Sequence, residues 1–363
     1  MSMSQAARAV PWRDREQARR VRLAGLVGLL LLAVLLSARV GAVHLTAGQV
    51  LAIAVQPLGI ELPWAFDAQE ALVFWVIRLP RIVLGALVGA ALATAGASIQ
   101  GLFRNPLADP ALIGVSGGAA LGAVTAIVLG ASVAGAVASP FGAVLVPLSA
   151  FAGGLCATHL VLRLGREGGR TTMARMLLAG IAVNALAGAG VGLSMALATD
   201  AQLRSVTFWT LGSVGGATWR TVGVVAPPLC VCIFGMPRFA PALDLMLLGE
   251  SEARHLGLRV EWVKRILVAL AALGVGAAVS ATGLIGFVGL VVPHGLRMLV
   301  GPGHRGVLRG SALLGASLLV GADLVARSIV APAELPIGIV TSILGAPFFL
   351  WLVVRDGQGG QVA

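Results

Sequence analysis

Apolar runs of about 20 residues recur along this chain almost end to end, and that recurrence limits the folds open to it. In lipid every backbone polar group needs a partner within the protein, so only helices or closed barrels can span. The runs are Leu-, Ala-, Val- and Gly-rich and do not alternate, so they are expected to be helices. About ten spans follow, near 21–43, 79–100, 111–131, 141–162, 173–197, 219–236, 262–281, 284–298, 309–330 and 337–354. The fold class is thus an all-α polytopic membrane protein. Only 11% of the 363 residues are charged, against about 25% in soluble proteins, so most of the chain lacks an aqueous face. One membrane domain over 21–355 is expected, with short tails at 1–20 and 356–363. Arg13–Arg22 followed by Leu23–Leu36 resembles a secretory signal, but the apolar stretch continues to Val43 and further spans follow.

Charge placement orients the bundle. An even span count puts both termini on one side. Of 26 Lys/Arg and 15 Asp/Glu, the segments opposite the termini hold six arginines (39, 78, 81, 204, 220, 327) and six acids (Glu61, Asp67, Glu70, Asp200, Asp323, Glu334). The whole excess of +11 therefore falls on the side of the termini, which the positive-inside rule makes cytoplasmic. The basic character is a topology signal and implies no nucleic-acid partner. Trp64, Trp75, Trp209 and Trp219 near outer ends, and Trp262 and Trp351 near inner ends, fit interfacial belts. Gly85/Gly89/Ala93/Ala97, Gly114/Gly118/Gly122 and Gly188/Gly192 form small-residue ridges that let helices approach closely.

Two segments depart from the span pattern. Residues 44–70 form a long outer connection. Residues 200–217 are too short and polar to span; they are expected to form an outer or half-inserted helix ending at glycines, with Phe208, Trp209, Gly212 and Gly215 as candidate translocation-path residues.

The five histidines are scattered, and Cys156, Cys230 and Cys232 lie in or beside apolar runs as small core residues. No catalytic constellation or metal-ligand spacing appears. A P-loop needs Gly-x-x-x-x-Gly-Lys-Ser/Thr. The only lysine, Lys264, follows Glu-Trp-Val, so any ATP-driven motor must be another subunit.

At the cytoplasmic side, 241–259 reads as two short helices broken at Gly249, striped by Leu243, Met246 and Leu247, then by Ala253, Leu256 and Leu258. It either lies on headgroups or docks a cytoplasmic partner, and the Glu250, Glu252, Arg254 alternation fits a protein better than an anionic bilayer. At the outer side, Arg78, Arg81 and Arg327 run against the charge bias. They either pair with acids such as Asp323 or Glu334, or hold carboxylates of a periplasmic partner.

Several long stretches resemble the FecCD-type permeases that import ferric siderophores, heme and cobalamin. They are Arg78-Leu-Pro-Arg81, Gln100-Gly-Leu-Phe-Arg-Asn-Pro-Leu-Ala-Asp-Pro-Ala-Leu-Ile-Gly114, Leu248–Gly257, Gly283-Leu-Ile-Gly-Phe-Val-Gly-Leu-Val-Val-Pro-His294 and Glu334–Pro347. The resemblance covers nearly the whole chain beyond about residue 20. It implies ten spans per subunit in the bacterial inner membrane, two copies around a central path, two separate cytoplasmic ATPase subunits that bind the ATP, and a periplasmic binding protein. It further implies that Arg78, Arg81 and Arg327 meet that binding protein. Leu248, Gly249, Glu250, Ser251, Glu252, Ala253, Arg254, His255, Leu256 and Gly257 would then form the coupling helices at the ATPase. Within the family, Gln202–Gly216 and Leu177–Gly188 look most similar to heme permeases of Gram-negative bacteria, with a ferric siderophore or cobalamin as alternative substrates and no intrinsic cofactor.

Three other classes fit less well. An ion-coupled carrier usually has ionisable residues at mid-span, which these spans almost lack. A channel would show a filter loop or charge ring, and a membrane enzyme an acid/base cluster.

Overall fold

The structure is a computed structural model that describes residues 12–41, 43–134 and 142–359. Of the tails assigned at 1–20 and 356–363, residues 1–11 and 360–363 lie outside the described residues. So do Ala42 and the connection 135–141 that includes the expected start of the fourth span. The described helices are α1 (Trp12–Arg39), α2 (Ala47–Val55), α3 (Ala68–Leu72), α4 (Leu79–Phe103), α5 (Val115–Ala134), α6 (Gly142–Leu164), α7 (Met173–Ala196) and α8 (Asp200–Leu211). They continue as α9 (Trp219–Gly235), α10 (Ala240–Met246), α11 (Glu250–His255), α12 (Val260–Thr282), α13 (Val288–Val300), α14 (His304–Ser328) and α15 (Ile337–Gly359). A hairpin of β1 (Arg166–Glu167) and β2 (Arg170–Thr171) joins α6 to α7.

Among the described residues seven helical runs are long and apolar enough to cross a membrane, and the shorter apolar stretches Val115–Gly130, Val288–Val300 and Ile337–Leu352 of α5, α13 and α15 fall where the three remaining spans were expected. The chain is an all-α polytopic membrane protein of about ten spans. α4 is the centre, packed against α14, α12, α13 and α9, while α1 and α7 are the least buried spans. A side chain has no room where α4 meets α14, because a methyl at Gly89 would overlap the Gly315 carbonyl and one at Gly315 the Gly89 carbonyl. Gly118 of α5 and Gly153 of α6 meet in the same reciprocal way. Two of the expected ridges thus seat helices. The third does not do so among the described residues, where Gly188 and Gly192 on α7 face open space.

The second span starts earlier than expected. Ala68–Phe103 is one helical run, with a π-helical turn over Val73–Arg78 just before Pro80. Proline has no N–H, so the ladder cannot continue evenly there, and the widened turn takes up the mismatch. The 44–70 connection is ordered by two capping boxes, Thr46 with Gln49 and Asp67 with Glu70, and Gln49 Nε2 ties them by donating to Glu70 Oε1 at 3.0 Å.

α13 has 13 residues and so is about 20 Å long, short of the about 30 Å hydrocarbon core. It begins inside the bundle, where Gly289 presses its carbonyl against Gly96 in α4. The 283–287 segment before it is non-helical backbone held within protein, which the bilayer tolerates.

Candidate functional site

The end of the bundle that carries the arginine excess is its basic end, and the opposite one its neutral end. At the neutral end the three outer arginines turn inward. Arg78, 3% exposed, donates to the carbonyls of Ala38 (2.5 Å), Arg39 (3.1 Å) and Val43, and so clamps the last turn of α1. Arg81, 8% exposed, donates from Nε to both Asp323 oxygens (2.9 and 3.0 Å), and its Nη1 reaches Glu334 Oε1 at 2.8 Å. Arg327 Nη2 bonds the Ser37 carbonyl and hydroxyl (2.5 and 2.8 Å), with Nε 3.7 Å from Asp323 Oδ2. Three guanidinium groups thus face two carboxylates. The pairing with Asp323 and Glu334 that the sequence allowed is present for Arg81, while Arg78 is satisfied by backbone. Glu334, half exposed in the turn before α15, is held below its ordinary pKa chiefly by the hydrogen bond from Arg81.

The 200–217 segment forms α8, opened by a capping box of Thr199 and Gln202 and ended at Gly212 in a positive-φ conformation. Its C-terminus sits in a three-way junction. Ile337 N, at the head of α15, donates to Gly212 O (3.0 Å), and Ser213 N donates to Thr282 O at the end of α12 (2.7 Å). Gly283 and Gly338 abut the carbonyls of Trp209 and Leu211. Helix ends left inside a membrane domain need such partners. The candidate path residues are not gathered on one lining: Phe208 is 66% exposed, Trp209 packs on the core, Gly212 is within the junction, and Gly215 lies beside Glu334 and Arg81. Two cavities, of about 210 Å³ against Asp109 and Phe287 and about 560 Å³ between α6, α9 and α12, contain none of the four.

At the basic end, α10, the 247–249 turn and α11 form the expected helix pair. Leu243, Met246 and Ala253 are buried, whereas Leu248 (65% exposed), Leu247 and Leu256 project outward with Ser251, Glu252, His255 and Gly257. Of the apolar stripe read from the sequence, Leu247 and Leu256 thus face outward while Leu243, Met246 and Ala253 face the core. The outward residues make a short apolar knob edged by charge. α10 is tied to α14 by His304, whose backbone N donates to Asp244 Oδ1 at 3.1 Å while its Nδ1 lies 2.6 Å away. Sequence reading missed this pair, and also the buried cluster around Lys264, which had figured only as the wrong lysine for a P-loop. Glu250 and Arg254 at i,i+4 and Glu261 and Lys264 at i,i+3 were the available signal.

Comparison with known proteins agrees with this architecture. Residues 29–355 match the model of the FecCD transport family. The chain is 46% identical over 307 residues to the hemin transport system permease protein of Yersinia pestis, covering 81% of this chain and 87% of that one. It is 43% identical over 298 residues to the cobalamin import system permease protein of Halobacterium salinarum (82% and 77% covered). It is 41% identical over 297 residues to the vitamin B12 import system permease protein of Escherichia coli (81% and 87% covered). A solved structure, described as an inward-facing conformation of a metal-chelate type ABC transporter, superposes with a TM-score of 0.80 at 31% identity, covering 93% of this chain and 99% of that chain. With its spans, its broken helices and its basic-end knob all in place, the chain belongs to the FecCD transport family.

Proposed function

We propose that this chain moves heme inward across the bacterial inner membrane by alternating access, as a pair of identical subunits driven by two separate ATPases. Its coarser role, the permease subunit of an ABC importer, follows from its family. The observation that carries the mechanism is the α10–α11 knob. It is a rigidly based, outward-facing apolar patch at the basic end, suited to seat in a soluble partner. The positive-inside rule puts that end, with both termini, in the cytoplasm.

The path would lie between two copies, which accords with path residues that line neither of the two cavities described and with the open Gly188/Gly192 ridge. A loaded binding protein would dock at the neutral end. Because Arg81 is already bonded to half-exposed Glu334, a partner carboxylate would reach Arg81 by displacing that acid, while Arg78 and Arg327, held by Ala38, Arg39, Val43 and Ser37, would support the site from behind. Heme is favoured by the hemin permease relative; cobalamin is the second reading, on the 43% and 41% identical permeases.

The test is uptake into liposomes that hold this chain with the ATPase from the neighbouring gene. The binding protein is supplied loaded with heme, a ferric siderophore or cobalamin. ATP-dependent heme accumulation that requires the loaded binding protein supports the full reading. Uptake of another chelate instead keeps the importer and removes heme. Uptake without ATP overturns the mechanism.

A further inference from the structure

Lys264 is 1% exposed, and its ammonium has three acceptors for its three donors. Nζ donates to the Thr171 carbonyl (2.7 Å), to Glu250 Oε2 (2.7 Å) and to Glu261 Oε1 (3.4 Å). Each acceptor belongs to a different element or turn. Glu250 opens α11, Glu261 lies in the first turn of α12, and Thr171 ends β2 two residues before α7. Thr171 N donates back to Glu261 Oε2 at 2.8 Å, so strand and helix exchange bonds in both directions. Arg254 closes the group, 3.3 Å from Glu250 and 3.7 Å from Glu261, which leaves two bases facing two acids.

α11 has six residues, too few to hold a helix in isolation. Its position is therefore set by what it touches, chiefly the buried Ala253 and this charge cluster. The path from the cluster to α7 is short. Thr172, next after Thr171, donates its N–H to Gly165 O (3.0 Å) and is the N-cap of α7, the least buried span after α1. A displacement of α11 pulls Glu250 off the buried ammonium and leaves Nζ one acceptor short, with only Thr171 and Glu261 as partners. Glu250, Lys264, Glu261 and Thr171 therefore move together or the cluster breaks.

We propose that Lys264 is the positioning residue that transmits motion of the α10–α11 knob to α7, with the β1–β2 hairpin as the connecting arm. This rests on the proposed function, in which the knob receives the ATPase. The Asp244–His304 pair gives α10 a separate link to α14, so removal of Lys264 uncouples one helix and leaves the knob attached.

The test compares the wild-type chain with K264M in liposomes, assembled with the neighbouring ATPase. Spin labels replace exposed Ser251 and Arg166 in a background carrying Cys156→Ala, Cys230→Ala and Cys232→Ala. In the wild type the 251–166 distance is expected to stay narrow with and without ATP. In K264M the distribution should broaden, with uptake down about tenfold and ATP hydrolysis changed by less than about twofold, the size of an ordinary coupling energy. E250A, which removes the α11 acceptor but leaves Lys264 bonded to Thr171 and Glu261, should broaden the 251–166 distribution in the same way and serves if K264M does not fold. An unchanged distance distribution overturns the proposal, as does an equal fall in uptake and hydrolysis. A wild-type complex that takes up no substrate overturns the function, while the distance comparison still decides the linkage.

Discussion

The neutral-end cluster allows a quantitative test of what its arginines do in the folded chain. Arg81 contributes three close contacts to Asp323, from Nε at 2.9 and 3.0 Å and from Nη2 at 2.8 Å. R81M removes all three and leaves the buried carboxylate facing only Arg327 Nε at 3.7 Å. Breaking a buried ion pair by removing one partner costs about 3–5 kcal/mol. The remaining guanidinium still supplies roughly 4 kcal/mol of Coulomb attraction at an effective dielectric of about 20, so the loss should fall near the lower bound, about 3 kcal/mol. D323N is the harsher change. It leaves three largely buried arginines with Glu334 as the one acid within the cluster, so about 5 kcal/mol is expected. In R81M/D323N neither charge is orphaned, and the double loss should fall short of the sum by about 2 kcal/mol or more. Reversible unfolding in mixed detergent micelles, read by tryptophan fluorescence, measures all three variants. If R81M costs under about 1 kcal/mol, or the two losses simply add, the cluster is not a coupled buried network and the reasoning fails.

Other outcomes follow from the same coordinates. Gly89→Leu should force α4 from α14 and destabilise by about 3 kcal/mol or more, seen as aggregation on size exclusion. Gly188→Leu points into open space among the described residues, so stability should change by under about 0.5 kcal/mol while any two-copy assembly weakens, as mass photometry would show. A melting temperature unchanged in both variants would contradict the first, and an intact dimer in the second would move the interface elsewhere. Glu334, with its folded pKa lowered from 4.5, adds stability above that unfolded value and loses it as pH falls through the lowered one. The melting temperature should therefore fall on acidification below about pH 4.5 in the wild type, and less steeply in E334Q, where equal slopes would discard the Arg81 bond as the cause.

Much of this was legible in the chain because lipid makes local rules strict. Long apolar runs gave the spans, charge bias distinguished the ends, and glycines four apart on α4 and α5 marked two close helix contacts. The failures share a cause, long sequence separation. Arg81 and Asp323 are 242 residues apart and Lys264 and Thr171 are 93, and no local pattern says whether such groups face solvent or each other. The docking residues named from sequence are thus buried side chains with internal partners, a fact only the packed bundle shows. The Gly188/Gly192 ridge looked like its two counterparts, since spacing does not tell whether a helix face meets its own chain. The extent of α13 was hidden as well, because a run that begins inside the bundle is as apolar as one that crosses it.

The solitary lysine has a practical consequence. Since Lys264 carries the chain's only side-chain amine and is shut from solvent, acylating reagents and lysine-directed cross-linkers will find little on the folded protein beyond its terminus. Maps of its contacts need carboxyl- or arginine-directed chemistry, and the rate at which Lys264 becomes acylated is a clock for opening of the basic end.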